Sequence, residues 1–193
     1  MGNVLVDYSP FYIVSKFTKK IDDIHLLVSE IFLKQEWIAL DHGSIDETQL
    51  IKSVKPRLPK RLHPTLIKII EQWDNHFLDR PEMLTLVKQL NKKGIKLILA
   101  SNAGLRFDRF SKRIKALNYF QDIVVSAKIN ISKPDPKFFS YILKKHSLKA
   151  KECLFVDDIT SNVVGAMSVG INGFFYNGNF ELFKNYLKTL KVL

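Results

Sequence analysis

From Pro81 to the last residue, short apolar runs alternate with helical segments, and this alternation restricts the fold more than any other feature of the chain. The apolar runs are "IKLILA" (95–100), "DIVVS" (122–126), "ECLFVDD" (152–158) and "INGFFY" (171–176). Between and after them the pattern predicts helices near 105–117, after "PDP", after Asp158 and from about Asn179. Short apolar strands joined by helical crossovers pair in parallel and are covered on both faces. The expectation is an α/β fold: a three-layer, Rossmann-like core built on a parallel sheet. Pro81 suits the first turn of a preceding helix, and Gly94 suits its stop after "MLTLVKQLNKK".

The stretch from Ser9 to Arg80 has a different texture. Ile24, Leu27 and Ile31 recur at helical spacing. "SIDE" at Ser44–Glu47 reads as a capping box, with Ser44 capping free amides and Glu47 reaching back. "DHG" just before it reads as a turn, and Pro56, Pro59 and Pro64 separate helices. No strand is expected here. The predicted organisation is therefore a core of residues 1–9 and 81–193, with 10–80 inserted as an all-helical cap.

A chain of 193 residues with 46% hydrophobic and 25% charged residues fits one globular domain, or one domain with an insertion. No stretch approaches the ~18 apolar residues of a membrane span. Asp7 interrupts the first apolar run, so no secretory pattern forms, and Val6 stands where a myristoylation signal needs Ser or Thr. Cys153 is the single cysteine, which excludes an intrachain disulfide. A soluble, cytoplasmic protein without membrane partners is expected. The net charge of +11 is spread over pairs such as Lys19/Lys20, Lys112/Arg113 and Lys144/Lys145. Without a basic arm or an RNA-binding aromatic motif, no nucleic-acid partner is expected. The five histidines show no metal-ligand spacing.

In parallel α/β sheets, reactive groups collect at the carboxyl ends of the strands. "LILASN" ends in Ser101 and Asn102, a hydroxyl, an amide and exposed backbone N–H groups suited to an anion. A helix cap explains the same pair. "ISKPDP" offers Lys133, although Asp135 and Pro136 already account for that turn as a helix start. "LFVDD" ends in Asp157 and Asp158. Adjacent carboxylates repel, and a divalent cation with a preference for oxygen, Mg²⁺, relieves the repulsion. A helix cap is again the plainer alternative. Asn162 lies four residues beyond Asp158, within reach if the turn bends back.

The order of these groups is more specific than any one of them. Ser–Asn, then Lys 32 residues on, then Asp–Asp 24 further, resembles motifs II, III and IV of the haloacid dehalogenase superfamily. "W…LDHGSIDETQL" (37–50) resembles the helical cap of the subgroup that inserts it between motifs I and II. "GNVLVDYSP" resembles the segment just after the nucleophile in that subgroup, where the motif reads Asp-x-Gly-Asn-Val-Leu.

The resemblance implies Mg²⁺-dependent phosphatase chemistry through an aspartyl-phosphate. Ser101, Asn102, Gly2 and Asn3 would hold phosphate, Lys133 would screen the nucleophile against it, and Asp158 would ligate Mg²⁺ with Asp157 and the Gly2 carbonyl in support. It places the attacking Asp immediately ahead of Met1 and makes Asp7 a loop residue, so the 193 residues alone are expected to be inactive. Gly2 stands where many relatives carry a second Asp, which leaves leaving-group protonation without its usual residue. The implied substrate is a small phosphorylated metabolite, with sugar phosphates the leading class. Carbon–halogen hydrolysis and a non-catalytic phosphate-binding role are the alternatives. Oligomeric state is not readable.

Overall fold

Eleven α-helices and three two-stranded pairings make up the chain. The computed structural model describes all 193 residues. β1 (Val6–Asp7) leads into five helices: α1 (Pro10–Ser15), α2 (Ile21–Phe32), α3 (Gln35–His42), α4 (Glu47–Val54) and α5 (His63–Gln72). β2 (Leu78–Asp79) returns the chain to β1, antiparallel, with Val6 opposite Asp79. The rest alternates: α6 (Pro81–Lys92), β3 (Ile98–Ser101), α7 (Phe107–Phe110), β4 (Asp122–Val125), α8 (Ser126–Ile129), α9 (Pro136–Lys145), β5 (Leu154–Asp157), α10 (Thr160–Met167), β6 (Asn172–Phe175) and α11 (Phe180–Thr189).

β3 pairs with β4 and β5 with β6, both in parallel. The registers set Ser101 beside Val125 and Asp157 beside Phe175 at the carboxyl ends. The two pairs are not hydrogen-bonded to each other. Along β5 the side chains alternate between two cores. Leu154 and Val156 pack with Met83, Leu86, Tyr176 and Phe183, from the side of α6 and α11. Phe155 packs with Phe138, Phe139 and Ala166, from the side of α9 and α10. Strand residues of period two with helices on both faces make three layers, as the alternating pattern predicts.

A third core of 27 buried residues joins α1–α5 to the segment 99–125. It contains Ile24, Leu27 and Ile31, the residues at helical spacing in α2. Below it Asp74 is fully buried, its carboxylate held by Arg113 at 2.6 Å and by Arg106 at 3.2 Å. Arg106 also pairs with Glu47, so one buried acid ties the helical segment to the loop after β3.

Several local expectations are corrected. β2 is a strand inside 10–80, because its two residues pair antiparallel with β1 where the chain returns from the helical segment. The capping box belongs to Asp46 and Gln49, two residues later than expected, with Gln49 N donating to Asp46 Oδ1 at 2.7 Å. Ser44 instead hydrogen-bonds the His42 ring, and Glu47 is drawn to Arg106. The helix expected over 105–117 is one α-turn followed by two 3-10 turns, broken at Ile114, whose backbone is extended. Arg106, Arg109 and Arg113 all turn toward Asp74, and Phe107, Phe110, Ile114 and Leu117 are all buried; this wrapping overrides helix propensity.

Candidate active site

Lys133 and Asp157 form the floor of a cavity of about 630 Å³ at the carboxyl ends of β3 and β5. Their side chains are only 4% exposed, and Lys133 Nζ lies 2.7 Å from Asp157 Oδ2. The ammonium also donates to the carbonyl of Ala100 at 2.9 Å, so it spans the two strand pairs. Asp157 Oδ1 accepts from Asn162 Nδ2 and from the amide of Ile159, each at 3.0 Å. Burial pushes this carboxyl up, but the Lys133 charge and the hydrogen bonds outweigh it and hold it below the usual aspartate range.

Ser101 is buried and lines the cavity, its hydroxyl donating to the Asn102 carbonyl at 3.4 Å. The Asn102 side chain fastens the next loop rather than facing a ligand. Its Nδ2 donates to the Lys133 carbonyl and its Oδ1 accepts from the Lys133 amide, both at 2.9 Å. Gly165 locks the same loop from α10: a Cβ there would lie 2.3 Å from the Pro134 carbonyl, so only glycine permits this approach. Lys133 is therefore fixed at both backbone and ammonium.

Asp158 also lines the cavity. Its Oδ2 accepts from Asn3 Nδ2 at 2.9 Å, and no protein group bonds its Oδ1. Gly2 and Met1 lie on the same wall. No three acidic, histidine or cysteine groups converge anywhere in the chain. Mg²⁺ needs no such cage, since one or two carboxylates with waters and phosphate oxygens suffice. Asp158 fits that description. Asp157 does not, because Lys133, Ile159 and Asn162 already occupy both of its oxygens.

The opposite end of the cavity is contributed by Tyr8 and the helical segment that follows it. Tyr8, Trp37, Ile38, Asp41, Trp73 and Phe77 line it, and sequence reasoning singled out none of them as site residues. Asp41 was hidden in "LDHG", where Gly43 marks only a turn. Gly43 takes φ 83° at the end of α3 and packs closely on Ala127, and the Asp41 carbonyl accepts from Ser126 Oγ at 2.5 Å. These contacts clamp the end of α3, and with it Asp41, against α8, whose Ser126 hydroxyl also accepts from the Ala103 amide next to Asn102. Burial raises its carboxyl pKa to about 7, against the lowering effect of the Gly104 amide and of Lys133. Burial and the Asp41 charge together hold the Tyr8 phenol protonated. Asp7, by contrast, does not line the cavity; it pairs with Arg80, whose Nε donates at 2.6 Å.

Comparison with known proteins bears on the family and the fold. Residues 38–175 match the haloacid dehalogenase-like hydrolase family. The sesquiterpene phosphatase astK of Aspergillus oryzae is 31% identical over 97 residues, 49% of this chain and 50% of that protein. A phosphoglycolate phosphatase of Pseudomonas fluorescens is 31% identical over 86 residues, 44% of this chain and 32% of that protein. The alignments thus span half or less of these curated relatives. Among solved structures, a HAD family enzyme from Bacteroides thetaiotaomicron, in complex with magnesium and inorganic phosphate, superposes with a TM-score of 0.68 at 19% identity, covering 91% of this chain and 90% of that one. A dehalogenase with an intermediate complex superposes at 0.71 and 15% identity, covering 91% and 81%. With well over half of its residues inside the family match and the same fold in its structural neighbours, the chain belongs to the haloacid dehalogenase-like hydrolases.

Proposed function

We propose that this chain binds a small phosphomonoester for Mg²⁺-dependent hydrolysis, with residues 1–9 and 81–193 as the core and 10–80 as a cap roofing the site. The observation that carries this reading is the buried Lys133–Asp157 pair on the cavity floor beside Ser101. A buried ammonium held this firmly is a preorganised counter-charge for phosphate oxygens. The Ser101 hydroxyl and the Asn102 backbone amide donate to those oxygens. Mg²⁺, held by Asp158 and the Gly2 carbonyl, would neutralise further phosphate charge. Asp157 positions Lys133 and is braced by Asn162. Asn3 orients the Asp158 carboxylate through the 2.9 Å bond to its Oδ2.

Asp41 supplies what Gly2 lacks. A carboxyl with a pKa of about 7 is mostly protonated below neutrality and can give a proton to the leaving alcohol. The carboxylates that line the cavity are Asp41, Asp157 and Asp158. Each has a role in this scheme, so none is left to attack phosphorus. Sugar phosphates are the substrate class that the family resemblance favours.

Isothermal titration of the chain with Mg²⁺ in the presence of inorganic phosphate tests the reading. Bound metal should raise stability by ~2.7 kcal/mol at a hundredfold excess over its Kd. Asp158→Asn should remove most of that gain, and Asp157→Asn less. Phosphate binding with no Mg²⁺ dependence would shift the reading toward carbon–halogen hydrolysis.

Asp41 also makes a stability prediction. Its folded pKa is raised, so the folded state holds the proton more tightly than the unfolded chain does. Stability is therefore greatest below the unfolded pKa near 4 and declines as pH rises toward about 7. Asp41→Asn removes the decline. Its stability should exceed that of the wild type by on the order of 2 kcal/mol at pH 8, the full shift being reduced by partial solvent access, with little difference at pH 4. Parallel urea melts at the two pH values would show a constant offset if Asp41 were an ordinary surface acid.

A further inference from the structure

The cavity is chemically divided. Its floor holds Lys133, Ser101, Asp158 and the rest of the phosphate-facing groups, whereas its roof is aromatic. Trp73 is the hub of that roof. Its ring packs edge-on against Trp37 at 5.2 Å, Phe77 at 5.5 Å, Phe110 at 5.6 Å and Tyr8 at 6.3 Å between centroids. The Trp73 indole N–H has no oxygen or nitrogen of the protein within hydrogen-bond reach. Ile38 lines the same wall, and 60% of its surface is exposed although the side chain is wholly apolar.

A phosphate group alone fills a small part of about 630 Å³, and the remainder must receive the alcohol portion of an ester. A polyol would bring several hydroxyls into this roof, where the Tyr8 phenol, the Asp41 carboxyl and two indole N–H groups are the only side-chain polar groups. Each hydroxyl desolvated there without a partner weakens binding. A flat hydrocarbon loses nothing on leaving water and gains edge-to-face contact with the rings.

We propose that the ester this cavity takes is the monophosphate of an apolar, ring-sized alcohol, aryl in the simplest case, with the hydrocarbon seated among Tyr8, Trp37, Ile38 and Phe77. This rests on the phosphate reading above and replaces its sugar-phosphate expectation. The Asp41 carboxyl lies in the same roof, where it meets the ester oxygen rather than the hydrocarbon.

Trp37 and Trp73 are the only tryptophans in the chain, and both line the cavity, so intrinsic fluorescence reports occupancy directly. Titrations with inorganic phosphate, methylphosphonate, phenylphosphonate and glycerol 1-phosphate, each with Mg²⁺ present, separate the possibilities. Phenylphosphonate should bind at least tenfold tighter than methylphosphonate and shift the tryptophan emission, while glycerol 1-phosphate gains nothing over methylphosphonate. Ile38→Asn changes an exposed wall residue outside the folding core and should cut the phenyl-over-methyl preference at least threefold. Equal affinity for the two phosphonates, a glycerol phosphate that binds tightest, or a preference unchanged in Ile38→Asn would overturn the aryl assignment alone. Failure of all four anions to bind would overturn the phosphate reading and this inference with it.

Discussion

If the attacking Asp stands ahead of Met1, as the resemblance of "GNVLVDYSP" to the segment after the nucleophile implies, fusing an apolar strand of about five to eight residues that ends in Asp there should switch on Mg²⁺-dependent hydrolysis of p-nitrophenyl phosphate, which the 193 residues alone should not catalyse. The strand has a place to go. β3 and β5 are paired on one side only, and the two parallel pairs do not bond to each other. Ile98, Ala100 and Leu154 through Val156 are only half-buried, where the middle of a three-layer core would bury them fully. Unpaired strand edges of this kind attract another strand. The place is also chemically right. Met1 lines the cavity together with Lys133 and Asp158. A carboxylate attached there would enter beside Lys133 and Asp158. The fusion should also raise the melting temperature, by ~5 °C or more, since 1 kcal/mol is worth about 2–4 °C in a chain of this size. Asn in place of the added Asp should remove turnover and keep the stability gain. Asp7→Asn should leave turnover largely intact, because Asp7 pairs with Arg80 away from the cavity. Activity in the 193-residue chain that Asp7→Asn abolishes would make Asp7 the nucleophile and sink the assignment.

Lys133→Met should destabilise the chain by roughly 3–5 kcal/mol at pH 7 and abolish phosphate binding. The loss is large because Asp157 would remain buried, at 3% exposure, without its counter-charge. In the wild type the Asp157 carboxyl is held below its ordinary range, so its contribution is present above the unfolded pKa and is lost as pH falls through the folded value. In Lys133→Met the sign reverses: the lone carboxyl is pushed up by burial, and the variant should recover part of its deficit as pH falls toward 4. Lys133→Met/Asp157→Leu, which removes both charges, should regain most of the stability and none of the phosphate binding. Urea melts of the three proteins measure both parts. A single variant as stable as the wild type at pH 7 would show that the pair is solvated and would remove the main support for the site.

Much of the architecture was legible along the chain because its signals are local. The alternation after Pro81 marked each later strand to within a few residues, since an apolar run between helix caps has few other uses. Pro81 and Gly94 bracket α6 for backbone reasons that need no tertiary contact: Pro81 opens its first turn and Gly94 takes φ 78° just past its end. Ser101, Lys133, Asp157 and Asp158 stood out because strand ends in a parallel sheet converge, and the structure brings all four to one cavity.

What the tertiary structure decided is how each of those groups is used. The resemblance ranked Asp158 above Asp157 as the metal ligand, but only the fold gives the physical reason: both oxygens of Asp157 go to Lys133, Asn162 and Ile159, and one of Asp158 is left free. Asn102 could have faced a ligand, yet its side chain pins the Lys133 backbone. The Arg106–Arg113 segment has helix-forming composition, but three arginines drawn to one buried Asp74 unwind it. Asp41 and the aromatic roof carry no motif at all. They come from helices far from the strand ends in sequence, and a carboxyl's pKa or a ring's place on a cavity wall depends on burial and neighbours that only long-range packing sets.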